Sequence, residues 1–86
     1  MIDPAQDPVA WSQLMWELND AHEHLGSLIA ELTKDGAQPD SEFAVNLGHV
    51  YAHLNRAWHL RDQREQITEE QWPRFSAFPS DLQPVG

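Results

Sequence analysis

Two stretches of this chain space their apolar residues in alternating steps of three and four, and the stretches mirror each other about one turn. In the first, Trp11, Leu14, Leu18, Ala21, Leu25, Leu28 and Leu32 form the stripe; in the second, Phe43, Leu47, Val50, Leu54 and Ala57 do. Such steps keep side chains on one face of a helix, whereas a half-buried strand would need strict alternation. Read backwards from the intervening "DGAQPD", the second stripe sets Leu32 opposite Phe43, Leu28 opposite Leu47, Leu25 opposite Val50, Ala21 opposite Leu54 and Leu18 opposite Ala57. The pattern predicts an all-α fold, an antiparallel two-helix hairpin whose loop falls where Gly36 and Pro39 independently mark a turn.

End signals place the helices at about 8–34 and 41–66. Asp7 is a suitable N-cap and Pro8 suits the first helical position, where its missing N–H is not needed. Lys34 lies in the last turn and Gly36 follows it as a left-handed terminator. Asp40 or Ser41 caps the second helix, and Arg61 and Arg64 continue its stripe, as cations at a helix C-terminus favour. In that register Leu14 meets Arg61 and Trp11 meets Arg64, a guanidinium-over-indole contact.

The 86 residues form a single small helical domain, with 1–7 a lead-in and 67–86 a tail. Thr68 and Gln71 have capping-box spacing, and Pro73 then ends the turn, so the tail reads as a short helical turn followed by an extended, proline-containing segment. Its Trp72, Phe75 and Phe78 are costly to leave in water and are expected to pack on a bundle. One hairpin edge carries Met15, His22, Ile29, Tyr51 and Trp58, too wide an apolar strip for two helices to bury alone. A second copy covering that edge gives a homodimeric four-helix bundle. Trp16 points outward, as a contact for the tail or for a protein partner.

Composition narrows the function. There is no cysteine, hence neither a disulfide scaffold nor a thiolate site. The net charge of −9, from 14 acidic and 5 basic residues, lacks the basic footprint of nucleic-acid binding. The first residues have neither a basic nor an apolar signal region, and no run is long enough for a membrane span, so the expected setting is cytoplasmic. Serines lack the context of a nucleophile elbow and the acids are scattered, so no enzyme is expected.

The chemistry-bearing residues are the histidines. The hairpin register brings His24 to His53, and His49 precedes His53 by one turn on the same face. With Asp20 one turn before His24, the set His24, His49, His53 and Asp20 could hold a transition metal such as zinc or iron. His22 belongs to the other edge and His59 points to solvent. The spacing lacks the Glu of H-E-x-x-H and the paired E-x-x-H of di-iron bundles, and half-buried imidazoles stacked at a helix edge account for the same residues without chemistry. The function expected is therefore a small interaction or assembly module without a cofactor, with a metal-binding bundle as its alternative. A third reading is an acidic surface that captures a basic nucleic-acid-handling protein.

Overall fold

The computed structural model describes all 86 residues as three helices with no strand: α1 (Pro8–Asp35), α2 (Asp40–Leu60) and α3 (Trp72–Ser76). α1 and α2 form the antiparallel hairpin, and α3 packs against α2. Neither long helix is long and apolar enough to cross a membrane.

α1 starts with Pro8 in its first turn and ends at Gly36, whose N–H donates to the Leu32 carbonyl at 3.0 Å with φ of 80°. The Asp7 side chain does not cap the helix. It accepts instead from the Asp3 N–H at 3.3 Å and meets Arg64 Nε at 3.5 Å, which takes Arg64 away from the indole of Trp11. α2 is capped by the Pro39 carbonyl, which accepts from Glu42 and Phe43 N–H, and Asp40 and Glu42 occupy the first turn, where the helix dipole favours anions.

α2 ends at Leu60, short of the expected residue 66. Arg61 Nη1 donates back to the Trp58 carbonyl at 2.9 Å, and the Ile2 N–H donates to the Arg61 carbonyl at 2.7 Å. Those two donors satisfy terminal carbonyls that further helix would otherwise have bonded. The Arg61 guanidinium lies 3.9 Å above the Trp58 ring, so the cation–π pair of the hairpin's open end is Arg61 with Trp58.

The apolar core sits at that open end: Ile2, Ala10, Leu14, Ala57, Leu60 and Phe75, with Trp11 and Ile67 packed against it. Ile2, in what reads as a lead-in, is the most buried residue of the chain. Thr68 and Gln71 do form a reciprocal capping pair, Thr68 N–H to Gln71 Oε1 at 2.9 Å and Gln71 N–H to Thr68 Oγ1 at 3.3 Å. Pro73 does not stop this turn. It stands in the first turn of α3, a position that needs no N–H, and the helix carries Phe75 into the core.

The seam between the long helices is rotated from the expected one. Leu18 and Leu25 are 40 % exposed and Leu54 is 42 % exposed, while Glu17, His53 and Arg56 are buried in their place. α3 covers one side of the hairpin, and beyond it only Phe78 and Asp81 of the tail reach the Tyr51–Trp58 edge. The side with the leucines has no third layer over it, and the polar residues under α3 become interior.

Candidate metal centre

Below the apolar cluster, the side chains of Glu17 on α1 and His53 and Arg56 on α2 close a buried polar layer. Glu17 Oε2 lies 2.8 Å from His53 Nδ1, and Glu17 Oε1 accepts from Arg56 Nε at 2.9 Å. Arg56 Nη1 donates to Ser76 Oγ at 2.8 Å, and its guanidinium stacks on the Trp72 ring at 4.2 Å. Every charge here has a partner of opposite sign or an aromatic face, the condition under which charged groups persist in an interior.

One atom of the layer lacks a partner. His53 Nε2 is buried without a hydrogen bond. The rings of His24 and His49 stack beside it: His24 to His53 at 5.2 Å, His49 to His53 at 4.9 Å and His24 to His49 at 4.0 Å between centroids. One nitrogen from each of the three rings lies within 4.8 Å of the other two. His53 is fixed by its buried contacts, whereas His24 is half-buried and His49 exposed, so two of the three rings can still swing. The His49 imidazole is held below its ordinary pKa, first by desolvation and then by the neighbouring His24, His53 and Arg56, against a smaller opposite pull from Asp20. A histidine kept neutral retains the lone pair that a metal needs.

The other candidates are placed as follows. Asp20 stays outside the trio and accepts the Trp16 indole N–H at 2.8 Å. Together with Trp16, His53, Arg56, Ile67 and Trp72 it lines an open cleft of about 420 Å³. Trp16 is 68 % exposed and meets the tail only across this cleft. His59 is not solvent-directed: it stacks on Phe75 at 5.4 Å and faces the Ala77 carbonyl at 3.4 Å, because α3 lies over it. On the other edge Met15, His22, Ile29 and Tyr51 are exposed. The chain's own tail reaches part of that edge, with Phe78 against Tyr51 at 5.1 Å and Asp81 Oδ1 accepting from Trp58 Nε1 at 2.9 Å.

Glu17 and Arg56 were not foreseen as a pair, since the hairpin register sets Glu17 opposite Leu60. The signal was present nonetheless: Arg56 follows His53 by three residues on one face, and Glu17 precedes His24 by seven on the facing helix. In comparisons with known proteins, the chain matches no family model, no curated protein and no solved structure.

Proposed function

We propose that the protein binds a divalent transition metal through His24, His49 and His53. The observation that carries this reading is the buried, unpartnered Nε2 of His53, on a ring whose other nitrogen is already engaged by Glu17. A carboxylate on one imidazole nitrogen and a metal on the other is the usual arrangement around ligating histidines. An all-imidazole donor set suits zinc, copper, nickel or cobalt better than the hard cations calcium and magnesium. In a tetrahedral zinc site the ligand nitrogens stand roughly 3.3 Å apart, given metal–nitrogen bonds of about 2.0–2.1 Å. His24 and His49 would close toward His53 from within 4.8 Å by rotation of exposed or half-exposed rings.

The test is metal analysis of untagged protein and calorimetric titration with zinc. One equivalent per chain is expected, lost in His53→Ala and weakened in His49→Ala. Failure of zinc, copper, nickel and cobalt to bind stoichiometrically at micromolar protein overturns the reading.

A second reading concerns assembly. Leu18, Leu25, Ile29, Tyr51 and Leu54, between 40 % and 56 % exposed, leave an apolar side on the hairpin. A second copy packed on that side would make the dimeric four-helix bundle, and light scattering on the eluted protein measures it directly. The two readings are independent, because the histidine trio does not belong to that side.

A further inference from the structure

The contacts of His53 Nδ1 make contradictory demands on one atom. It lies 2.8 Å from Glu17 Oε2, which can only accept, and 3.0 Å from Arg56 Nη2, which can only donate. A neutral imidazole satisfies one of these contacts at a time. With its proton on Nε2, the ring accepts from Arg56, sets a lone pair against the carboxylate and buries an N–H that has no acceptor. With its proton on Nδ1, the ring donates to Glu17 and leaves Nε2 as a bare lone pair beside His24 and His49.

Arg56 extends this arrangement to the C-terminal segment. Its Nε is held by Glu17, its Nη1 by Ser76, and its flat face by Trp72. Asn55 Nδ2 donates to the Ser76 carbonyl at 2.9 Å alongside. The seat of α3 on the hairpin thus has two parts, Phe75 in the apolar core and the guanidinium that Glu17 orients.

We propose that Glu17 is the positioning residue of the metal site, holding His53 as its Nδ1–H tautomer, and that through Arg56 metal occupancy and the docking of α3 reinforce each other. The proposal rests on the metal reading above and adds its regulation. A metal on Nε2 removes the unpaired atom and leaves Nδ1–H as the only arrangement. The Nη2 contact of Arg56 to the ring is given up, while Glu17, now anchored by His53 through Oε2, is fixed where its Oε1 accepts from Arg56 Nε. Coupling between two sites is reciprocal, so the factor by which metal favours docked α3 is the factor by which the docked chain binds metal more tightly than the undocked one.

The test uses the full chain at constant pH with zinc as the probe, and its primary form needs no variant. Imidazole nitrogen NMR reports which nitrogen of His53 bears the proton, and amide exchange reports the docking of α3 through Trp72, Phe75 and Ala77, whose N–H groups are bonded within the segment. On zinc binding, His53 is expected as Nδ1–H with zinc on Nε2, and exchange of those three amides is expected to slow. In Glu17→Gln the amide can offer its oxygen to only one of the two donors, and zinc affinity is expected to fall about 10–100-fold. Ser76→Ala, a mild surface-side change, is expected to weaken zinc several-fold while leaving the helices intact. Zinc binding that leaves the three amides unchanged, or that ligates Nδ1, overturns this inference and leaves the metal site standing. Absence of zinc binding overturns this inference, and failure of copper, nickel and cobalt to bind as well overturns the metal reading with it.

Discussion

Glu17 carries two obligations, to His53 and to Arg56, from a position only 9 % exposed. Truncating it strands a guanidinium that is itself 5 % exposed. Breaking a buried pair by removing one partner costs about 3–5 kcal/mol, far more than the pair contributes relative to well-packed apolar residues. Glu17→Ala should therefore shift the urea midpoint strongly, and Glu17→Gln, which keeps the volume and one acceptor oxygen, should shift it less. A Glu17→Ala shift no larger than that of the exposed Glu23→Ala would overturn this. His49 gives the residue scale its pH dependence. Its folded pKa lies below the ordinary value of 6.5, through desolvation and the nearby His24, His53 and Arg56, with Asp20 opposing. Its contribution to stability is thus complete above that ordinary value and is lost as the pH falls through the lowered one. Protons and metal compete for the same lone pair, so zinc affinity should weaken in the same direction. The difference in urea midpoint between the wild type and His49→Gln, followed from pH 7.5 down to pH 5, isolates this term.

At the scale of elements, the loop is held by one backbone conformation. Gly36 has φ of 80° and ψ of −152°, a region open in practice only to glycine. No atom crowds its missing Cβ, so a side chain there suffers strain rather than collision. Gly36→Ala should cost about 1–3 kcal/mol in chemical denaturation without altering the helices. This stop was legible from local residues, as were the spans of α1 and most of α2, because apolar spacing and turn chemistry are properties of neighbours in sequence. The end of α2 was not. Arg61 and Arg64 continue the heptad phase, and what terminates the helix is the N–H of Ile2, nearly sixty positions away in sequence. Pro73 misleads for a related reason, since a proline ends one turn or begins the next according to what Phe75 finds to pack on. At the site, the meeting of His24 with His49 and His53 followed from the hairpin register. The Glu17–Arg56 pair did not, because charges along a seam read as solvated until a distant segment covers them.

At the scale of the molecule, α3 and the tail make the hairpin lopsided. Trp72 and Phe75 close the polar side, Phe78 and Asp81 reach Tyr51 and Trp58, and Leu18, Leu25 and Leu54 are left uncovered between them. Asp81 is the latch of this arrangement: the Trp58 N–H, with further help from Arg61, holds its carboxyl below the usual range. The tail thus occupies part of the edge that a second copy would use, and a dimer would have to form on the leucine face beside it rather than on the whole edge. Two opposing terms govern that association. Burial of the leucines favours it in proportion to the apolar area covered, and the charge of −9 on each chain opposes it. Salt separates the two, since the screening length falls from about 30 Å at 0.01 M to about 8 Å at 0.15 M while hydrophobic burial is little changed. Light scattering should accordingly give a mass that rises toward twice the chain mass as salt is added at constant protein. Leu25→Glu should hold the protein monomeric at every salt concentration with little loss of stability, because Leu25 is already 40 % exposed in the single chain. A wild-type mass that stays at one chain across the same salt range would remove the dimer and leave this face to a different partner.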